Sequence, residues 1–541
     1  MKKILNFFDK TLIDLGRQFK WSYLPPLMVY VAAGISGLTG IVGTFFVKDY
    51  LNLSAAFLAG LGFWAGIPWA LKMPLGHLVD LIWTRKNYMV YIGAGLISLS
   101  LLIMYGLIIH TELMSSYLKV ETWFVISVLL APVGYVVQDV VADGMTVEAV
   151  PVTDDQGNKY SIEKIKIMHT TMQTLGRFAI IGGTVIVAFA NVILFSNVEN
   201  LDQESKILLY GQIYIYALII PLVSITGVFL GIYLKNKRIK KLKYSGINEK
   251  KIKELEDSVH ENTSPNWWIL GGSLFFVLFT LGIGALGIPY AQEIVFLGSF
   301  LIILFLMFKL IKEVPEDTRY MIIGTAIIIF VFRAMPGPGP GLGWFEIDEL
   351  GFNEQFFSIL SLLASILTLV GIIVFRPFMA NNSIAKIIIV LSILGSILFL
   401  PSIGMYYGFH NWTSSLTNGV VDAKFIAIIN TALESPLGQV SMIPLLAWIA
   451  KNAPSHLKAT FFAVFASFTN LALSANALGT KYLNEIFLIT REVKDKVTNL
   501  VVTTSDYSEL GILLIMVLIL TLVLPILTVL IIQKTKFNTS E

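Results

Sequence analysis

The sequence predicts an all-α integral membrane protein with two six-helix halves and an inserted two-helix hairpin, about 14 transmembrane helices in all. Three observations indicate this fold class. The 541 residues are 55% hydrophobic and only 14% charged, and a soluble chain of this length would carry nearly twice as much charge. Apolar runs long enough to span a membrane recur along the chain. A weak internal repeat relates the first part of the chain to the second.

The apolar runs number fourteen, and most are close to the roughly 20 residues that a helix needs to cross the hydrocarbon core. They lie near residues 22–47, 54–79, 88–109, 122–147, 167–195, 207–234, 267–289, 294–311, 320–343, 355–375, 385–404, 425–450, 457–478 and 509–532. The short run at 294–311 forms a tight hairpin with the run before it. The chain is therefore divided into four parts: a six-helix half at 1–234, a basic linker at 235–265, the hairpin at 266–312 and a second six-helix half at 313–541.

Basic residues set the expected orientation. Most of the 39 Lys and Arg residues lie in segments that face the cytoplasm if the N-terminus is inside. Because short loops rich in Lys and Arg stay in the cytoplasm, we expect both termini there and the protein in the plasma (inner) membrane. The linker 235–265 could touch anionic lipid headgroups, although a simple tether is the favoured interpretation. A monomer is expected, and nothing in the composition indicates a nucleic-acid partner.

The internal repeat relates the ends of the first helices of the two halves. At a constant offset of 299, Thr44–Leu53 aligns with Gly343–Phe352, so that Asp49 corresponds to Asp348. Two similar halves of six helices are typical of transporters that rock around a central site. The hairpin then falls between the halves, as an addition to a twelve-helix core.

Glycine and proline interrupt the corresponding first helix of each half. The run 22–47 has glycines at every third position, and the run 320–343 has Pro336, Pro338 and Pro340 alternating with glycine. Three prolines in five residues remove amide donors and block a regular helix. Broken backbone is tolerated in lipid only against protein or a water-filled cavity. We therefore expect 336–341 to be an unwound hinge or gate on the outer side. For the glycines of the first run, close helix packing is an equal alternative.

Six ionisable side chains lie inside the predicted spans, where each costs about 2.5–3.5 kcal/mol to insert. They are Lys72, Asp139, Asp143, Arg177, Arg333 and Glu434. In a structural hypothesis, Lys72 and Arg177 neutralise the two aspartates, because buried ions are usually paired. In a functional hypothesis, the cations bind substrate carboxylates while a carboxylate (Asp139, Asp143 or Glu434) accepts a coupling proton. For Arg333 and Glu434, each the single charge in its run, the functional hypothesis is favoured.

Four stretches carry a family resemblance. They are Pro68–Gly76 with Asp80, Gln138–Glu148, Arg333–Pro336 running on to Glu349–Phe352, and Leu457–Leu471. Together and in this order they resemble the folate–biopterin transporter family, a branch of the major facilitator superfamily. The loop Gly76–Lys86 in part resembles the loop motif of that superfamily. In that superfamily the acidic and basic residues of the loop latch the cytoplasmic side in one state. The resemblance therefore implies this role for Asp80, Arg85 and Lys86.

The resemblance also implies a secondary transporter that moves a folate- or pterin-type organic anion by alternating access, coupled to protons. Folate carboxylates suit the cations Lys72, Arg177 and Arg333. The amino group and ring N–H of a pterin suit a carboxylate such as Asp143 or Glu434. Further binding residues are expected at Trp69, which could stack on a flat ring, and at Asn470 in the last motif. The absence of Cys excludes Cys-based metal or redox chemistry, and no cofactor or metal is expected.

Two other functions stay open. A permease for another organic anion, such as a muropeptide, is favoured by the inserted hairpin at 267–311. A membrane-embedded enzyme is less favoured, because the largest outer segment, 479–508, holds no His and no metal-spaced cluster. We therefore do not expect an enzyme.

Overall fold

The computed structural model describes residues 17–70, 72–154, 160–244, 247–248, 267–285, 288–312, 314–441, 458–494 and 500–539. Nearly all of this part of the chain is helical. In lipid, a helix satisfies its own backbone hydrogen bonds, which open strands cannot do. The two short strands that are described, β1 (Val493–Lys494) and β2 (Val501–Thr503), pair antiparallel in the loop before the last helix.

The first half contains ten α-helices among the described residues. They are α1 (Leu24–Gly34), α2 (Gly40–Tyr50), α3 (Ala55–Ala70), α4 (Lys72–Leu81), α5 (Asn87–Ile109), α6 (Thr111–Tyr117), α7 (Val120–Ala149), α8 (Ile162–Leu194), α9 (Gln203–Tyr216) and α10 (Ile219–Tyr244). Helix α10 extends beyond the predicted start of the linker at 235, because Lys and Arg are good helix formers in water. The linker therefore begins as a helix, and residues 249–265 of it lie outside the described residues.

The hairpin and the second half follow. Their helices are α11 (Trp267–Ala285), α12 (Ala291–Ile311), α13 (Glu316–Arg333), α14 (Pro340–Asp348), α15 (Glu354–Val374), α16 (Arg376–Asn381), α17 (Ile384–Tyr406), α18 (Phe409–Leu416), α19 (Ala423–Glu434), α20 (Lys458–Ile486) and α21 (Leu510–Gln533). The turn of the hairpin contains Tyr290 at a φ of 59°.

Eight described segments are long and apolar enough to cross a membrane. They are Trp21–Tyr50, Asn87–Ile109, Val120–Ala149, Glu163–Asn200, Gln203–Tyr244, Glu354–Val374, Ile384–Tyr406 and Leu510–Gln533. Shorter apolar helices lie at Ala55–Ala70, Leu274–Gly284 and Ala291–Phe305. Each of the fourteen predicted runs overlaps a helix, although the run 425–450 is described only to 441. The all-helical membrane class is confirmed, and the number of crossings stays a prediction.

Close backbone contact holds the first half together around α1. A Cβ added to Gly183 of α8 would lie 2.8 Å from the Cα of Gly34, so neither helix could approach with a larger residue. Small residues at such crossings bring helices into van der Waals contact, which is what drives their association in lipid. For Gly34, therefore, the packing interpretation of the glycine pattern is the one that fits.

The hairpin lies across the seam between the two halves. Its turn contacts both of them: Gln292 Nε2 donates to the carbonyl oxygen of Gly60 in α3 at 3.0 Å. Glu293 forms an ion pair of 3.3 Å with Lys481 of α20 and also accepts a hydrogen bond from Tyr482. Below the turn, Phe276 and Val295 pack into one buried cluster with apolar residues of α3 and α20. The hairpin therefore bridges the halves as well as adding two helices.

Candidate functional site

The first helix of each half is interrupted at the same place. A 3-10 turn, Ile35–Thr39, separates α1 from α2, and residues 335–339 have no regular structure between α13 and α14. The offset of 299 found in the sequence places the 3-10 turn on 334–338. The prediction that glycine and proline break these two corresponding helices is consistent with this geometry, and Pro340 serves as the first residue of α14.

One face of α20 holds the unwound segment 335–339. Three of its polar side chains at four-residue intervals hydrogen-bond the exposed backbone groups. These bonds join Asn476 Nδ2 to Met335 O, Gly337 N to Thr480 Oγ1 (3.0 Å) and Asn484 Nδ2 to Pro338 O (3.2 Å). Gly339 takes a φ of 74°, which favours glycine. Our sequence reasoning missed this stripe, although the i, i+4, i+8 spacing of Asn and Thr was visible.

Lys72 lies between two carboxylates in the first half. Its Nζ is 2.6 Å from Asp139 Oδ2 and 2.9 Å from Asp143 Oδ2. Tyr30 of α1 donates a hydrogen bond of 2.6 Å to the other oxygen of Asp143. The Asp143 side chain is 46% exposed, although it lies within the span Val120–Ala149. Since a lipid-facing carboxylate would be too costly there, the exposed side faces a water-accessible space. We call Lys72, Asp139 and Asp143 the inner cluster.

Arg177 supplies the second positive charge near the inner cluster. It interacts electrostatically with Asp139 and Tyr30, and its side chain is exposed. The structural hypothesis predicts that Lys72 pairs with both aspartates, and it does. The functional hypothesis requires charged groups that a substrate or proton can reach, and Asp143 and Arg177 are exposed. The geometry is therefore compatible with both a structural role and a binding role.

The other predicted binding residues lie outside the inner cluster. Trp69 and Asn470 meet across the two halves, where Asn470 Nδ2 donates to the Trp69 carbonyl at 3.2 Å. Arg333 ends α13 directly before the unwound segment and is half-buried. Glu434 ends α19 with an exposed side chain, and one turn earlier Asn430 Oδ1 is buried without a hydrogen-bond partner among the described residues. Asn470, Arg333 and Glu434 belong to the second half, whereas Trp69 lies at the end of α3 of the first half, just before Lys72.

The predicted cytoplasmic latch is only partly described. The Asp80 side chain lies outside the described residues, and Arg85 is exposed. Lys86 is buried: its Nζ is 2.8 Å from Glu148 and 4.0 Å from the centre of the Trp83 ring. This ion pair ties the loop to the end of α7, within one half. Burial lowers the pKa of Lys86, while the carboxylate of Glu148 acts in the opposite direction.

A second charged group joins the two halves at the predicted outer side. Lys48, 5% exposed, pairs with Asp348 of the second half and lies 3.2 Å from Asp49. Tyr507 donates a hydrogen bond of 2.5 Å to Asp348. The two residues that the repeat aligns, Asp49 and Asp348, therefore share one lysine. We call Lys48, Asp49, Asp348 and Arg491 the outer cluster.

Arg491 is the other cation of the outer cluster. Its guanidinium donates to the carbonyl oxygens of Lys48, Leu51 and Leu53 at the end of α2 and stacks 4.3 Å from the centre of the Trp344 ring. The residue is 4% exposed, and this burial lowers its pKa to about 10. A planar fork of donors suits several carbonyls at once. Sequence reasoning missed Arg491, because no local pattern links a loop residue to carbonyls more than 430 positions earlier.

A further polar contact closes the same side. Glu354 at the start of α15 is 2% exposed; it accepts a hydrogen bond from Tyr210 of α9 and lies 3.9 Å from Lys206. Asn353 contacts Glu199. With the outer cluster, these contacts join the two halves on the predicted outer side, whereas Asp143 of the inner cluster is partly exposed.

Comparisons with known proteins agree with this architecture. A family model described as the BT1 family matches residues 33–540. The folate-biopterin transporter of Synechocystis sp. is 21% identical over 472 residues, 86% of this chain and 76% of that protein. Folate transporter 2 of Plasmodium falciparum is 25% identical over 149 residues, 28% of this chain and 31% of that protein.

Three solved structures share the fold at low identity. A POT family transporter in complex with 5-aminolevulinic acid is 12% identical with a TM-score of 0.60, over 96% of both chains. The D-xylose-proton symporter is 13% identical with a TM-score of 0.51, over 96% of this chain and 98% of that one. The nucleoside transporter NupG is 11% identical with a TM-score of 0.51, over 96% and 100%. At these identities the likeness concerns the fold, and it confirms the major-facilitator type.

Proposed function

The chain belongs to the BT1 family of folate–biopterin transporters, and on that premise we propose that it carries a folate- or pterin-type organic anion by proton-coupled alternating access. Family membership makes the protein a membrane transporter, as predicted, and not an enzyme. The observation that carries the rest of the proposal is the inner cluster, in which one lysine serves two carboxylates beside water.

The inner cluster provides a simple exchange of partners. In the empty site, Lys72 is held by Asp139 and Asp143. A proton arriving from water at Asp143 removes one of the charges that hold the lysine. Lys72, with Arg177 beside it, is then available to a carboxylate of the substrate. Proton and anion therefore bind together or not at all, which is the requirement for symport. In this scheme Asp139 keeps Lys72 oriented, and Glu434 and Arg333 serve the substrate from the second half.

We further propose that the two halves move relative to each other during transport. The divisions 1–234 and 313–541 act as two rigid bodies, and the unwound segment 335–339 bends when they rock. The outer cluster must open for the site to face outward, and the loop with Asp80, Arg85 and Lys86 closes the opposite side. Both termini are cytoplasmic, the protein works as a monomer in the plasma (inner) membrane, and the basic linker tethers the two halves.

Reconstituted vesicles test the coupling. We expect folate or biopterin to accumulate when the pH gradient is directed inward, and tracer to exchange without any gradient. Asp143→Asn should keep exchange within a few-fold but lose accumulation, because a neutral side chain can no longer carry the proton. The matched control is Asp202→Asn, an exposed N-cap of α9 that has no contact with the inner cluster among the described residues.

Two results would overturn parts of the proposal. Undiminished accumulation by Asp143→Asn removes the coupling role of that residue. If neither folate nor biopterin exchanges while a muropeptide does, the substrate class is wrong and the permease alternative replaces it.

A further inference from the structure

A cavity of about 420 Å³ lies between helices of the first half and α14 of the second, beyond the inner cluster toward the predicted outer side. Helices α2, α5 and α7 form most of its wall, and Pro340 and Trp344 of α14 complete it. Hydroxyl groups supply its polar surface, and six of these are Ser36, Thr39, Thr44, Ser127, Tyr135 and Tyr214. Among the described residues, no acid, lysine, arginine or histidine lines it.

The chemistry of this wall selects an uncharged occupant. An ion that left water for a cavity without a counter-charge would lose its hydration with nothing to replace it. A hydroxyl can donate one hydrogen bond and accept two, so the wall can bind both donors and acceptors of a neutral ring. Tyr135 lies near Ser36 and Tyr214 near Thr39, so hydroxyl groups are brought together in pairs on the cavity wall. Phe124 and Trp344 add flat apolar surface.

The cavity lies next to the inner cluster along α7. Tyr135, Asp139 and Asp143 follow one another at four-residue intervals on α7, so they lie on one face about 6 Å apart along the axis. On the first span, Tyr30 contacts Asp143 while Ser36, further along, lines the cavity. Both helices therefore lead from a charged end to an uncharged end. A volume near the lower end for ligand pockets is suited to one part of a larger molecule.

We infer that this cavity is the subsite for the uncharged, flat, hydrogen-bonding ring of the substrate, while the inner cluster receives its carboxylate. The inference rests on the proposed function and makes it more specific. It assigns the ring to hydroxyl groups in place of the carboxylates that the sequence led us to expect.

Gly40 offers a way to fill the cavity without straining the backbone. It lines the cavity, a Cβ there would meet nothing within 4 Å, and its φ of −60° suits any residue. The test substitution is Gly40→Val. The matched control is Gly62→Val, since Gly62 also has open space around its Cβ but is exposed on α3. Tyr135→Phe, with exposed Tyr216→Phe as its control, removes one hydroxyl should the filled variant fail to fold.

Binding of three probes to the purified protein distinguishes the ring subsite in the cavity from the carboxylate site at the inner cluster. The probes are biopterin (a neutral ring), p-aminobenzoylglutamate (carboxylates without that ring) and folate (both). We expect Gly40→Val to weaken biopterin and folate binding at least tenfold and to change p-aminobenzoylglutamate binding less than twofold. Tyr135→Phe should do the same by about three- to tenfold. Lys72→Met should weaken binding of p-aminobenzoylglutamate and folate more than binding of biopterin. Both control variants should bind all three probes like the wild type.

The outcomes are distinguishable. If the wild type does not bind biopterin, or if Gly40→Val and Tyr135→Phe leave its affinity unchanged, the ring subsite is overturned, whatever transport assays give. Equal loss of all three probes in both variants overturns it as well, because a general defect has no ring selectivity. Selective loss of ring binding in a protein that fails to accumulate substrate supports the subsite while the proton-coupled function fails.

Discussion

The inner and outer clusters have similar residues and opposite surroundings. Each has a lysine between two aspartates, but the inner one lies wholly within the first half and the Asp143 side chain is 46% exposed. The outer one joins the two halves, and its Lys48 and Asp348 side chains are 5% and 11% exposed. A cluster within one rigid body can change its charge without moving the halves. A cluster between two bodies must break when they separate. The inner cluster is therefore suited to binding, and the outer cluster to gating.

The largest effect is expected at Lys72. Lys72→Met leaves two carboxylates close together, and breaking a buried pair on one side costs about 3–5 kcal/mol. We expect the lower end or less, because the cluster faces water, together with a loss of transport greater than tenfold. Thermal unfolding and tracer exchange are the measurements. Adding Asp139→Asn should restore much of the unfolding temperature but not transport. If the double variant transports normally, the cluster is merely structural.

Opening the outer cluster should have the next largest effect. Asp348→Asn removes the charge that attracts Lys48 to the second half, and outward opening should become easier. Because the chain has no Cys, a cysteine at Val47, which lines the cavity, reports access from outside. We expect several-fold faster labelling by an impermeant maleimide and several-fold slower transport. Exposed Glu349→Gln serves as control. Equal labelling in the two variants would mean that the cluster does not gate.

A smaller increase in the labelling rate is expected when the contact of the hairpin with α20 is weakened. Glu293→Gln removes the ion pair with Lys481 but keeps a side chain that Tyr482 can still hydrogen-bond. Labelling of a cysteine at Val47 should rise about twofold, less than in Asp348→Asn, because the outer cluster still holds the halves. A larger rise than in Asp348→Asn would make the hairpin the main fastening between the halves.

The smallest effect on transport is expected at Glu148, whose pair with Lys86 lies within one half and outside both clusters. Glu148→Gln should leave transport within about twofold. It should lower the unfolding temperature at pH 7 by a few degrees, since Lys86 is then buried without its counter-charge. A lysine whose folded pKa is lowered binds fewer protons than in the unfolded chain, so stability rises with pH. The deficit should therefore shrink toward pH 9.5, and a constant deficit would contradict this account.

The fold class and the charge pairing of the inner cluster could be predicted from the sequence, whereas the contacts of the outer cluster could not. Apolar runs locate helices because lipid imposes a length, and the pairing of Lys72 with Asp139 followed from the cost of an unpaired ion. The repeat aligned Asp49 with Asp348 in the sequence, and both residues belong to the outer cluster. Arg491 could not be predicted, since its partners are backbone carbonyls of a distant segment. The hydroxyl-lined cavity was also beyond the sequence, because Ser and Thr in membrane helices usually bond their own backbone.

The hairpin has a consequence for how the protein is made. Glu293 lies 188 residues before Lys481 in the chain. At about 5–20 residues per second, its partner is synthesised roughly 10–40 s later. During that interval the hairpin is an apolar helix pair in the bilayer with a carboxylate at its turn. Helix α20, against which it packs in the folded protein, has not yet been synthesised. Its docking is therefore a late step of assembly, which fastens the seam after both halves have entered the membrane.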